Sequence, residues 1–262
     1  MIKEYFRPGS VEEAVQLLKD ESSILKPLGG GTYLSRHQAA VPGVVDLQDA
    51  GMDQIETRGQ RIVAGAMVRL SQLVAHPDVS ESIKEAILQD VSLNIRNMAT
   101  IGGWLISSDA RSILSTVLLA LDTTLTWEPD NNRVRMGNWL PMREEEQPGV
   151  LMTEVEWWLR PHLVFEYVAR SPKDRPTLIV AAAQWGSGRT RVVLGGYGDA
   201  PIVAMDGPEE RGVDVAARDA YYEAEDQWAT AVYRREVAPR LALRCLDRID
   251  AIKDSARNES EV

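Results

Sequence analysis

Two glycine clusters, Gly29-Gly30-Gly31 and Gly102-Gly103, constrain this chain more than any other feature. Glycine lacks a Cβ, so the backbone there can take positive φ and can approach another backbone or a ligand closely. The first cluster follows a short apolar run, Ile24 to Leu28, and precedes Thr32-Tyr33-Leu34, the pattern of a strand feeding a turn. The second, Thr100-Ile101-Gly102-Gly103, follows Asn94-Ile95-Arg96-Asn97 and precedes Ile113 to Leu121, which is apolar enough for a buried helix. Successive amide N–H groups in such turns can point at a phosphate, so two of them in one domain could embrace a pyrophosphate. Each is also readable as a plain tight turn, and taken alone the signal is weak.

Two familiar phosphate loops are excluded. Gly29 to Leu34 lacks the final glycine of a dinucleotide-binding βαβ fingerprint, and Asp46 and Asp49 are poor candidates for its acidic partner. No Gly-Lys-Ser or Gly-Lys-Thr occurs, so a Walker loop is absent. The single cysteine, Cys245, can neither form an internal disulfide nor supply the four thiolates of an iron–sulfur cluster. His37, His76 and His162 show no metal-ligand spacing, and no metal site is assigned. A formal charge of -10 opposes contact with a nucleic-acid backbone. No run approaches the roughly 18 apolar residues of a membrane span. The start, Met1-Ile2-Lys3-Glu4-Tyr5, leads straight into a helix signal without a leader pattern, so the expectation is a cytoplasmic protein.

Along the chain, Ser10-Val11-Glu12-Glu13 is a capping box, and Val11, Ala14, Val15 and Leu18 follow at helical spacing, predicting a helix over 11–20. Strands are expected at 44–47 and 61–65, and a helix over 80–93 with Ile83, Ile87 and Leu88 inward. Residues 128–150 read as an exposed hairpin or loop, and 152–159 as a strand with Val155, Trp157 and Leu159 alternating. Trp157 and Trp158 must then point to opposite faces, one of them toward a second layer or a partner. Beyond a boundary at Arg160-Pro161, strands over 163–169, 177–186 and 189–196 precede a polar linker and a long helix over 222–248. Its expected apolar face comprises Tyr222, Trp228, Ala231, Val232, Leu241, Leu243 and Leu246, with a kink at Pro239. A sheet with helices on one side fits this half.

The residues also resemble a family. Pro27 to Leu34 looks like its first FAD loop, and Ile95-Arg96-Asn97-Met98-Ala99-Thr100-Ile101-Gly102-Gly103 looks like its second. The similarity continues through Leu118 to Asp122, Gly149 to Val155 and Phe165 to Arg170, covering nearly the whole chain. The family is the medium, flavin-binding subunit of molybdenum hydroxylases of the carbon monoxide dehydrogenase and xanthine dehydrogenase type. The resemblance implies an α+β fold. A PCMH-like FAD-binding domain over 1–159, in two lobes split near 55, would precede a smaller C-terminal α+β domain over 160–262 with an antiparallel sheet and helices. It implies that Leu28, Gly29, Gly30, Gly31, Thr32, Tyr33 and Leu34, with Thr100, Ile101, Gly102 and Gly103, hold the FAD diphosphate. Trp104, Ser107 and Asp109 would lie nearby, Met152 would lie against the flavin ring, and Tyr167 and Arg170 are further candidates.

As function, the resemblance implies an oxidoreductase subunit with no catalytic residue of its own. Substrate would be oxidised on a molybdopterin-binding large subunit, an iron–sulfur small subunit would relay electrons, and FAD on this chain would pass them to an external acceptor. Two positions depart from the family pattern: Trp104 stands where Asn is usual and Ile113 where Asp is usual. Two lost hydrogen bonds would weaken FAD binding by roughly one to several powers of ten, although an indole could stack on the cofactor and recover part of it. The alternative is a diverged subunit that keeps the fold and assembly role while binding FAD weakly or not at all.

Overall fold

Short strands and short helices alternate along the chain, whose computed structural model describes residues 2–19, 25–36, 42–143, 149–172 and 174–260. Ile24, His37 and 144–148, all named above, lie outside the described residues. In order come β1 (Glu4–Phe6), α1 (Val11–Lys19), β2 (Leu25–Leu28), β3 (Gly43–Asp46), β4 (Ile55–Arg58) and β5 (Arg61–Gly65). Five helices follow: α2 (Leu70–Ala75), α3 (Glu81–Asp90), α4 (Leu93–Met98), α5 (Ile101–Ser107) and α6 (Ile113–Ala120). Then come β6 (Thr124–Glu128), β7 (Asn132–Arg135), α7 (Met136–Trp139) and β8 (Leu151–Trp158). The C-terminal part contains β9 (His162–Val168), β10 (Leu178–Gln184), β11 (Thr190–Gly195), β12 (Ile202–Gly207), α8 (Val213–Asp219) and α9 (Ala231–Ser260). Among the described residues no helix is long and apolar enough to cross a membrane.

Two compact units share the chain and interleave in sequence. The first comprises Met1–Ser80, Val91–Ser107 and Thr123–Leu159, and the second Glu81–Asp90, Ser108–Asp122 and Arg160–Val262.

In the first unit, α1 starts where its capping box predicts. Ser10 Oγ accepts the Glu13 amide at 3.2 Å, and the Glu13 carboxylate accepts the Gly9 amide at 2.8 Å. Ala14 and Val15 bury against Val45, Leu47 and Met52. β3 is the central strand of a parallel sheet, β1-β3-β2, and all four of its residues are buried. Its last residue, Asp46, is satisfied by the Tyr5 hydroxyl and by the amide and side chain of Gln48. β1 lies ahead of the helix signal and escapes the sequence pattern because its three residues are all exposed.

A second sheet in this unit is antiparallel, ordered β4-β5-β8-β6-β7. The pleat sends Ile62, Ala64, Leu125, Val155 and Trp157 to a buried face. On the opposite face Glu156 lies between Arg61 and Arg133, and Glu154 pairs with Arg58 at 3.1 Å. Trp158 lies on this charged face, with the Arg61 guanidinium 3.9 Å above its ring. Among its described residues the 128–150 segment is less exposed than expected, because Met136 and Leu140 turn inward.

The second unit is built on an antiparallel sheet ordered β12-β11-β10-β9. Every residue of β10 is buried, and helices cover both faces of the sheet, not one. Leu178, Val180, Ala182, Val192 and Leu194 pack with Ala238, Leu241, Cys245 and Ile249 of α9. On the other face Gly195 meets Thr116 of α6, whose eight residues are all buried. Each Leu or Ile so buried contributes about 1.5–3 kcal/mol relative to exposure. Asp90, at the end of α3, accepts from Ser112 Oγ at 2.6 Å and from the Leu114 amide at 3.1 Å, tying α3 to the start of α6. Burial raises the pKa of that carboxyl above the ordinary carboxylate range.

Three expectations are corrected here. Leu88 is exposed, and α3 turns only Ile83, Ala86 and Ile87 inward. A fourth strand, β12, replaces the polar linker. α9 begins at Ala231 because the Asp226 carboxylate binds the amides of Trp228 and Ala229 and turns the chain just before it. Tyr222, Val232 and Leu243 are therefore outside the buried face.

Asp122 and Asp206 bind Arg189 and Arg191 in a four-membered ion-pair network. The hydrogen bond from Arg189 holds the Asp206 carboxyl below its ordinary pKa, although burial opposes it. A depressed carboxyl contributes stability that is present above its unfolded pKa and lost as pH falls through the folded one. Wild type is therefore expected to lose stability on acidification below about pH 4 more steeply than Asp206→Asn, as measured by denaturant melts at several pH values. Parallel pH curves for the two proteins would remove the network from acid unfolding.

Candidate functional site

Seventy positions separate the glycine clusters, yet they meet within the first unit. A Cβ on Gly30 would run into the carbonyl of Met98, and one on Gly29 would lie 2.8 Å from Thr100 Oγ1. The first cluster leaves β2 and turns through Gly31, whose φ of 69° is the left-handed conformation glycine favours. Thr32 and Tyr33 continue the turn into a short 3₁₀ segment, Leu34–Arg36, closed by a hydrogen bond from the Ser35 amide to the Gly31 carbonyl. The amides of Gly30, Gly31 and Thr32 make no hydrogen bond to another described residue.

The second cluster is not a turn. Gly102 and Gly103 lie in the first turn of α5, and Thr100 precedes it, its Oγ1 accepting the Gly103 amide at 3.2 Å. Ile101 and Gly102 give their amides to the carbonyls of Val68 and Ala66. These amides are committed to the protein and cannot also face a ligand. Gly102 is needed for packing, since a Cβ would lie 2.8 Å from Ala66 Cβ and 2.9 Å from its carbonyl oxygen. Gly103 differs: it is exposed, and only Thr100 Oγ1, at 3.0 Å, would crowd an added Cβ. Trp104 is half-buried on α5, and Ser107 Oγ donates to the Gly103 carbonyl at 2.7 Å.

The remaining predicted residues divide between the two units. Met152 is in β8, in register with Trp127, and is buried to 2% exposure, so it serves the packing of its own unit. Asp109 and Tyr167 belong to the second unit. Asp109 accepts both forks of the Arg175 guanidinium and the Arg111 amide. Tyr167 donates to Gln89 Oε1 at 3.1 Å, and its ring stacks on Phe165. Arg170 reaches Trp228. Ile113, at the position where the sequence departs from its pattern, is buried at 1% in the core of the second unit.

Sequence reasoning missed the contact partners of the first cluster, Met98 and Ala99, and the anchoring carbonyls Ala66 and Val68. The signal available was steric: a glycine run implies a backbone neighbour, but not which one. A cavity of about 500 Å³ in the first unit lies elsewhere, on the charged sheet face among Glu56, Arg58, Glu128, Arg133 and Glu154. It includes none of the glycine-cluster residues. Among the described residues no group of three or more His, Cys, Asp or Glu side chains is arranged for a metal.

A pyrophosphate group fits the place where the clusters meet on three counts: amides at Gly30 to Thr32 that bond to no other described residue, a glycine at positive φ, and an exposed Gly103 without a side chain. Residues 1–156 match the family described as the FAD binding domain in molybdopterin dehydrogenase. The Escherichia coli K12 protein YgfM is 32% identical over 129 residues, 48% of this chain and 50% of that protein, so the match spans about half the length of that relative. The 6-hydroxypseudooxynicotine dehydrogenase complex subunit alpha of Paenarthrobacter nicotinovorans is 27% identical, covering 76% of this chain and 74% of its own. Among solved structures, a chain of the Hydrogenophaga pseudoflava carbon monoxide dehydrogenase that lacks the Mo-pyranopterin moiety superposes with a TM-score of 0.81 at 23% identity, covering 96% of this chain and 98% of that one. With a family match over more than half its length and a shared α+β architecture, the chain belongs to the family of FAD-binding domains of molybdopterin dehydrogenases.

Proposed function

We propose that this chain is the FAD-carrying electron-transfer component of a molybdopterin-dependent oxidoreductase complex. The observation that carries the reading is the meeting of the two glycine clusters in one unit, with the Gly30, Gly31 and Thr32 amides bonded to no other described residue. Those three amides would hold the diphosphate, flanked by the side-chain-free surface at Gly103. Leu28, Tyr33 and Leu34 shape the approach to it, and Thr100 fixes the start of α5. Bound FAD would supply the redox chemistry, accepting electrons from an iron–sulfur chain and releasing them to an external acceptor. The residues of this chain bind and orient, and none is assigned a bond-making role. Naming of relatives as a complex subunit and a medium chain supports a partner complex, in which substrate oxidation and its molybdopterin cofactor would reside on another polypeptide. A cytoplasmic location is part of this reading.

A second reading keeps the fold and the assembly role with weak FAD binding. It is favoured by Trp104, a half-buried indole on the helix that carries Gly103, and by Ile113, which is committed to a core. The visible spectrum of the protein after FAD reconstitution and desalting separates the two. Near-stoichiometric flavin bands are expected. A folded, colourless protein, colourless also when its partner chains are present, would overturn the first reading in favour of the second.

A further inference from the structure

We propose that Arg111, Arg170 and Trp228 form an anion-binding site on the second unit that takes the phosphoryl groups of a small phosphorylated ligand. The chain has 39 Asp and Glu against 29 Lys and Arg, so a surface guanidinium has acid partners in excess. Arg111 and Arg170 nonetheless make no ion pair among the described residues, and both converge on the exposed Trp228. The Arg111 guanidinium lies 4.5 Å from the indole centroid and that of Arg170 5.7 Å.

Neutral backbone groups, not acids, hold these side chains in place. Arg111 Nε donates to the Pro176 carbonyl at 2.8 Å and a terminal nitrogen donates to the Arg175 carbonyl at 2.6 Å. Arg170 donates to the Trp228 carbonyl at 3.4 Å. The charges around them are already spent: Asp109 is taken by Arg175 and Asp226 by Arg234. Four guanidinium groups thus face two carboxylates. Burial, followed by the like charge of Arg175, pushes the pKa of Arg111 down, although Asp109 and Asp226 oppose the shift. The excess matches a phosphoryl dianion, which guanidinium forks bind with paired hydrogen bonds, whereas a single carboxylate would leave it half balanced. The indole beside the guanidinium groups offers a surface on which a base could stack.

The test is titration calorimetry of the full chain with inorganic pyrophosphate and with ADP, at low and moderate salt. Saturable binding that weakens with salt is expected. Arg170→Gln, at an exposed position, should weaken it about tenfold or more, the scale of a lost charge-assisted hydrogen bond. Arg218→Gln on α8 removes the same charge elsewhere and should change nothing. Equal affinities would assign recognition to phosphate alone, and tighter ADP binding would add the indole as a base platform. Repeating the titration on Gly103→Asp separates this site from the glycine clusters: binding there should persist and still depend on Arg170. No saturable binding at millimolar pyrophosphate, or identical isotherms for wild type and Arg170→Gln, would overturn the proposal.

Discussion

Gly103→Asp is expected to leave the protein folded while abolishing retention of FAD. The position is exposed, an added Cβ would meet only the Thr100 hydroxyl oxygen, and an acidic residue in the first turn of a helix interacts favourably with the positive end of the helix dipole. Stability should therefore hold or rise slightly. If the diphosphate lies beside Gly103 as proposed, the carboxylate would add like-charge repulsion of a few kcal/mol and weaken binding by at least about a hundredfold. Gly103→Asn supplies the bulk without the charge and should retain more cofactor. Flavin absorbance per polypeptide after desalting, together with a thermal melt, reads both effects. Unchanged flavin content in Gly103→Asp would remove α5 from the site, and equal losses in the two variants would make the effect steric.

The second large effect is expected on stability. Arg234 on α9 is 0% exposed and donates to the carbonyls of Thr177, Ala224, Ala229 and Gly196 as well as to both oxygens of Asp226. Arg234→Met removes the donors and leaves these acceptors and one carboxylate without their partner. Breaking a buried pair in this way costs about 3–5 kcal/mol, a large fraction of the stability of an ordinary domain. Adding Asp226→Asn should recover part of it, because the orphaned charge is then gone. Denaturant melts of the single and double variants measure both. A loss below about 1 kcal/mol for Arg234→Met would show that water replaces the guanidinium, and the side chain would not be the anchor of the 224–230 segment.

Those residues also mark where the sequence was and was not legible. α1 was readable because its capping box is local, and β5 and α6 because their apolar runs have one interpretation each. The long helix and its buried Leu241 and Leu246 were legible, but the start of α9 and the exposure of Tyr222, Val232 and Leu243 were not. A fully buried arginine is invisible to a hydrophobic pattern, and its surroundings, small residues such as Ala238 and Ala242, carry little apolar signal. β12 was read as linker because its apolar residues Ile202 and Val203 are exposed at a sheet edge. For the site, the glycine positions announced a close approach, but the partner backbone at Met98 and the burial of Met152 depend on tertiary pairing. The glycine pair at 102 and 103 looked like a turn because glycine is rare within helices; contact with Ala66 overrides that preference.

The interleaving of the two units bears on how the polypeptide emerges from the ribosome. β8 is the central strand of its sheet, so the first unit cannot close until that strand is made, well after β4 and β5. α6, buried on every side, is synthesised before the strands β10 and β11 that cover it. At ordinary elongation rates it waits for seconds with its surface bare, a period in which a nascent chain is exposed to aggregation and to chaperone capture.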